Sequence, residues 1–76
     1  MNLAEIRPGE KFRIKSVSAV REVGKRLSDM GFVNGVEGRV LRIAHVGDPI
    51  EVCILDYNVS IRKSEAEQIA VEQFLK

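Results

Sequence analysis

His45 and Cys53 are the only histidine and the only cysteine in the 76-residue chain, and they frame the stretch AHVGDPIEV. They are the side chains whose types could ligate a soft metal or carry nucleophilic catalysis. A zinc or iron centre needs three or four ligands at recognisable spacings, and CxxC, HxxxH and HExxH are all missing. The carboxylates near His45 are Asp48 and Glu51. Catalysis would need a nucleophile, a base and an orienting group, yet no nucleophile elbow or glycine-rich phosphate loop occurs. GxxxxGK is absent, and the GKR at Gly24 lies inside a helical pattern with no strand closely before it. No catalytic, metal-ligating or cofactor-binding residue is therefore expected, and the chain reads as a binding module.

The elements on either side of GD decide whether His45 and Cys53 could meet. Two strands paired symmetrically about the Gly47–Asp48 bond place Ile50 opposite His45, Val52 opposite Ile43 and Cys53 opposite Arg42. His45 then falls in the inward row, near its open end, and Glu51 faces water across from Ala44. Cys53 points to the opposite face of the sheet. Pro49 lacks the N–H that would close a two-residue turn, so a wider loop is expected. Symmetric widening keeps these faces, and an odd-length loop reverses one strand.

The rest of the chain reads as short strands around one helix. Leu3 and Ile6 precede Arg7-Pro8-Gly9, which predicts a type II turn. In KFRIKSV, Phe12 and Ile14 alternate with charges, the period of a half-buried strand. Val20, Val23, Leu27 and Met30 then recur at helical spacing, with Ser18 expected as N-cap and Gly31 as the left-handed stop. Gly24 costs that helix about 1 kcal/mol against alanine. Phe32 can fold back onto Leu27 or Met30, and Asn34-Gly35 makes a tight turn.

GRVLRIAHV, PIEVCIL and NVSIR read as three further strands, reversing at Gly47-Asp48 and Asp56-Tyr57. Their expected inward set is Leu41 and Ile43, then Ile50, Val52 and Ile54, then Val59 and Ile61. Ser64 with Glu67 predicts a capping box and a short helical turn. The segment IAVEQFLK fits a final strand on Ile69 and Val71, or more helix on Ile69, Ala70 and Phe74; the strand reading is preferred. The expected fold is mainly β, with about five strands, one α-helix after the first and a helical turn before the last. At this size a flat sheet with one covered face would be unstable, so the strands are expected to curl into a small, partly open barrel.

The totals fit a single domain over residues 1–76 whose thin core is held by packing, since one cysteine offers no internal disulfide. The longest aliphatic run, Val52 to Leu55, is far short of the roughly 20 residues that cross a bilayer. Glu5 and Arg7 stand where a secretory signal would be apolar, so a cytoplasmic location is expected, without direct membrane insertion. Twelve basic against eleven acidic residues give a net charge of +1. That balance removes any whole-molecule attraction to nucleic acid. Seven basic residues nevertheless fall between Arg7 and Arg26 against two acidic ones, a distribution read as solvated strand and helix faces.

In order and spacing, RLSDMGFVNGVEGRVLRIAHVGDPIEV resembles FeoA-type proteins, in which a helix ending RLxxLG leads to a Pro-Gly turn and strand, then a GDP turn and second strand. NVSIRKSEAEQIAV resembles that family's last stretch, and PGE at Pro8 to Glu10 its first turn. Asn34 stands where the family usually has proline, and His45-Val46 replace its proline and leucine before GDP. The resemblance covers nearly the whole chain. It implies an SH3-like β-barrel and a small cytoplasmic accessory to FeoB, the membrane ferrous-iron transporter with a cytoplasmic GTPase domain. Similar domains are fused to metal-dependent repressors, and neither setting implies an enzyme.

The expected contact region for a protein partner joins the helix end, Arg26, Met30 and Phe32, to the GDP turn, Asp48 and Pro49. Two other readings compete. One is a metal-regulatory module, which needs His45 and a carboxylate to converge. The other is a nucleic-acid-associated module using Arg13, Lys15, Arg21, Lys25 and Arg26, for which aromatic stacking residues are scarce.

Overall fold

The alternating KFRIKSV forms strand β1 (Lys11–Val17) in the computed structural model, which describes residues 1–74. Phe12 and Ile14 are buried, whereas Lys15 and Ser16 are exposed. The turn before it is the expected one: Gly9 has φ 89°, and the Glu10 N–H donates to the Arg7 carbonyl at 3.0 Å. Ahead of that turn, Leu3–Glu5 make a single 3₁₀ turn, with the Asn2 side chain accepting from the Ala4 N–H at 2.9 Å. This turn carries Leu3 into the core.

Four more strands follow, β2 (Glu37–Ile43), β3 (Ile50–Ile54), β4 (Tyr57–Ile61) and β5 (Ile69–Phe74), with helices α1 (Arg21–Asp29) and α2 (Lys63–Ala66). The strands form one antiparallel sheet in the order β4-β3-β2-β1-β5. Phe12, Ile14, Val40, Ile50, Val52, Ile54, Ile61, Ile69 and Val71, drawn from all five strands, meet in one buried cluster with Leu27 and Phe32. A flat sheet cannot bring five inner faces onto one cluster, so the sheet curls around it. The final segment is a strand, as preferred from the sequence, because Ile69 and Val71 alternate inward while it pairs with β1.

The hairpins depart from the sequence expectation. Ile43 pairs with Ile50 and Arg42 with Glu51, but Val40 pairs with Val52, so Leu41 is an extra residue in a β-bulge. The bulge turns Val40 inward and leaves Leu41 36% exposed, the reverse of strict alternation. His45 does not face Ile50. The centre of the reversal lies one residue earlier than expected, between Val46 and Gly47, and the Gly47 N–H on the Ala44 carbonyl at 2.8 Å puts His45 and Val46 at the corner. Pro49 cannot donate, and its carbonyl instead accepts the Ala44 N–H at 3.2 Å. Cys53 pairs with Arg39 rather than Arg42, still on the outer face. The next reversal is at Leu55-Asp56 rather than Asp56-Tyr57, with φ 49° and 70° at those residues.

Helix α1 starts later than expected. Ser18 is not its cap, because its N–H and hydroxyl both donate to the Gln68 carbonyl, at 2.8 and 3.2 Å, and continue the β1–β5 contact. Val20 occupies the N-cap without a side-chain bond and is 69% exposed, so the apolar face reduces to Leu27 and the half-buried Met30. The helix stop is as expected. Gly31 has φ 107°, its N–H bonds the Ser28 carbonyl at 3.0 Å, and the Phe32 N–H reaches the Leu27 carbonyl at 2.9 Å, the two bonds of a Schellman cap.

Candidate functional site: a groove between α1, the β2–β3 turn and α2

Helix α2 is only four residues long and depends on bonds from outside it. Asp48 reaches across from the β2–β3 turn, and its Oδ1 accepts the Lys63 N–H at 2.9 Å. Glu65 Oε1 accepts the Arg62 N–H at 2.9 Å. The expected box at Ser64 and Glu67 is thus displaced by two residues, because the chain is still extended at Arg62 and the helix begins there.

The second Glu65 oxygen forms an ion pair with the Arg26 guanidinium on α1. Glu65, at 6% exposure, is the one charged residue buried among the described residues. A carboxylate survives such burial only when its oxygens are occupied by donors, and here both are. Arg26 therefore fixes α1 to α2.

Between these elements runs a groove lined by Val23, Arg26, Pro49, Ser60, Arg62 and Gln68. Of the five residues expected at a partner surface, Arg26 and Pro49 line this groove, and Asp48 stands beside it as the α2 cap. Met30 lies one turn along α1, half-buried, with Arg26 Nη1 3.6 Å from its sulfur and its carbonyl accepting the Tyr57 hydroxyl. Phe32 is 1% exposed, positioned by the Schellman cap beside the core. Val23, assigned inward by periodicity, is 38% exposed and supplies the groove's apolar wall. Ser60, Arg62 and Gln68 carry no local sequence signal, because their closeness to Arg26 comes from topology. The acidic pair in SEAE was the available signal for Glu65.

The basic tract is neutralised locally. Arg13 lies directly opposite Glu37 on β2 and Glu72 on β5, and binds them at 2.8 and 2.7 Å. Its guanidinium is held above its ordinary pKa by the hydrogen bond to Glu37 first and then that to Glu72. Lys15 approaches Glu72 at 3.8 Å. Lys25 binds Asp29 one helical turn on, at 2.9 Å, and the hydrogen bond to that carboxylate raises the ammonium pKa. Four of the five cations considered for nucleic-acid contact thus have carboxylate partners. His45 is exposed at its turn and Cys53 half-buried on the outer face, and among the described residues no three His, Cys, Asp or Glu side chains converge as a metal site.

The FeoA domain family model matches residues 1–73. The chain belongs to the FeoA family. A curated relative, the Fe(2+) transport protein A/Fe(2+) transporter FeoB fusion protein of Porphyromonas gingivalis, is 39% identical over 72 residues, which cover 95% of this chain. The chain spans only 8% of that relative's length. Among solved structures, iron(II) transport protein A from Clostridium thermocellum superposes with a TM-score of 0.92 at 40% identity, covering 96% of this chain and 45% of that one. FeoA of Stenotrophomonas maltophilia, solved with zinc and described as an SH3 domain protein, superposes with a TM-score of 0.83 at 29% identity, covering 95% of this chain and 89% of that one. The curled five-stranded sheet is accordingly the SH3-like fold of FeoA domains. Among the described residues, no helix is long and apolar enough to cross a membrane.

Proposed function

We propose that this FeoA domain is an accessory module of ferrous iron transport that acts on the cytoplasmic GTPase domain of a FeoB-type transporter through the groove between α1 and α2. The observation that carries this reading is the Porphyromonas gingivalis relative, in which a sequence 39% identical to this one is part of one polypeptide with FeoB. Fusion keeps two modules at high effective concentration, which is useful where they touch. The groove supports the location. Arg26 and Arg62 line it beside the apolar Val23 and Pro49, and its shape is fixed by the bonds of Glu65 and Asp48.

Pull-down and calorimetry with the isolated GTPase domain test the proposal. The wild-type chain binds, and Val23→Asp, an exposed substitution on the groove wall, weakens binding about tenfold while the thermal melt stays unchanged. Binding that ignores Val23→Asp would place the contact elsewhere. No binding to the GTPase domain would remove the proposed partner.

A further inference from the structure

The sheet has two outer edges, and the chain treats them differently. At β5 the Val71 N–H donates to the Met1 carbonyl at 2.9 Å and Asn2 bridges Ala70, so the N-terminus covers that edge. Among the described residues no backbone segment bonds along β4, and α1 faces its Ser60 only across the groove. Leu55 and Asp56 form a two-residue turn with positive φ at both positions, so the flanking pair Ile54 and Tyr57 exchange hydrogen bonds. Alternation from that pair directs the polar backbone of Val59 and Ile61 toward β3 and that of Asn58 and Ser60 away from it. Among the described residues, Asn58 and Ser60 make no hydrogen bond outside the strand ladder.

Edge strands are ordinarily guarded by lysine, proline, a bulge or a charge. The β4 sequence YNVSI has no charged residue and no proline. Its register with β3 runs without irregularity, whereas β1–β5 and β2–β3 each contain a shift.

We propose that β4 is a self-pairing edge through which two copies of this chain join antiparallel about a two-fold axis at Val59. This goes beyond the transporter reading and does not rest on it. Centring on Val59 sets Asn58 of each copy opposite Ser60 of the other, and each such pair exchanges two N–H···O bonds, giving about four across the joint. The same register sets Asp56 of each copy opposite Arg62 of the other. Among the described residues neither side chain has an ion-pair partner within its own chain.

Neighbouring registers do worse. A shift that centres on Ser60 would pair Asn58 with Arg62, whose N–H is already held by Glu65 and whose carbonyl already accepts from Glu65 and Ala66. A shift that centres on Asn58 would pair Ser60 with Asp56, which is left-handed in the turn and cannot continue the ladder. Hydrogen bonding and charge thus select one register. The joint is small, so the dimer is weak, populated at about 1 mM and dispersed at about 10 µM.

Sedimentation velocity and amide NMR on the full chain across that range test the proposal. Expected are a mass rising toward the dimer and slowed hydrogen exchange at the Asn58 and Ser60 amides. Ser60→Pro removes an outward N–H that the β3 ladder does not use and should weaken the dimer at least tenfold. Ser60→Lys, which guards the edge with charge, should do the same and serves if the proline variant does not fold. Asp56→Lys should weaken association severalfold at low salt, and adding Arg62→Glu should restore it. A chain that is monomeric at 1 mM, or a dimer indifferent to Ser60→Lys, overturns the proposal.

Discussion

A β-carbon placed on Gly31 would stand 2.7 Å from Leu55 Cδ1 and 3.1 Å from the Tyr57 hydroxyl. The stop of α1 and the tip of the β3–β4 hairpin are therefore in contact across a position with no side chain. Tyr57 ties the same two elements by donating its hydroxyl to the Met30 carbonyl. Through this contact the hairpin holds the C-terminal end of α1, and with it Arg26, over the groove.

Two glycines separate conformational strain from crowding. Gly35 has φ 91° and open space around its missing β-carbon, whereas Gly31 has φ 107° and Leu55 in the way. Gly35→Ala should cost about 1 kcal/mol, the left-handed penalty alone. Gly31→Ala should cost about 2 kcal/mol, the same penalty plus displacement of Leu55. Leu55 is 56% exposed and can swing aside, which keeps the excess modest. Thermal melts should show a drop of about 4–8 °C per kcal/mol. In a Leu55→Ala background the excess of Gly31→Ala over Gly35→Ala should shrink, and an unchanged excess would mean that the hairpin tip does not press on this position.

The ion pair of Arg26 and Glu65 joins two short helices, and its partners are unequal: the Arg26 side chain is 48% exposed and that of Glu65 8%. Removing Arg26 leaves a buried carboxylate with the Arg62 N–H as its remaining donor, so Arg26→Ala should cost about 1–3 kcal/mol. Glu65→Gln keeps an acceptor for that N–H and should cost less. In a double-mutant cycle the two losses should be less than additive, because either change breaks the same pair. Strict additivity in urea titrations would show the pair to be energetically silent.

Much of the fold was legible because backbone chemistry and apolar alternation act locally. Gly9 after Pro8, Gly35 after Asn34, and Gly31 stand where φ is positive, and Phe12 and Ile14 mark β1 without help from distant residues. Sequence and structure part where a distant partner reassigns a local signal. Ser18 looked like an N-cap until Gln68, fifty residues away, took its hydroxyl. Leu41 looked inward until the bulge opposite Glu51 and Val52 gave the core to Val40. The candidate site shows the same division. Arg26 and the GDP turn could be named from the sequence, but the carboxylate that anchors Arg26 and the helix that Asp48 caps became visible only when the chain closed on itself. Phe32 fits both cap and contact from its spacing, and its burial at 1% exposure could not be read from the sequence.

Arg13 stands between two carboxylates on neighbouring strands, Glu37 and Glu72, and so links β2, β1 and β5 across the outer face. These side chains are well exposed, so salt reaches them and screens their attraction. The guanidinium keeps its charge at any pH the fold meets, and its pKa is raised further by the two partners, so ionic strength rather than base is the useful variable. Raising sodium chloride from about 0.02 to 0.5 M, where the Debye length contracts to a few ångströms, should lower the melting temperature of the wild-type chain slightly. Arg13→Gln should melt lower at low salt because it leaves Glu37 and Glu72 facing each other across β1 without the intervening cation. Added salt should then raise its melting temperature by screening that repulsion. A wild-type chain and an Arg13→Gln variant with parallel salt profiles would show that the two ion pairs do not hold the strands together, leaving the backbone ladder and the buried face of β1 to do so.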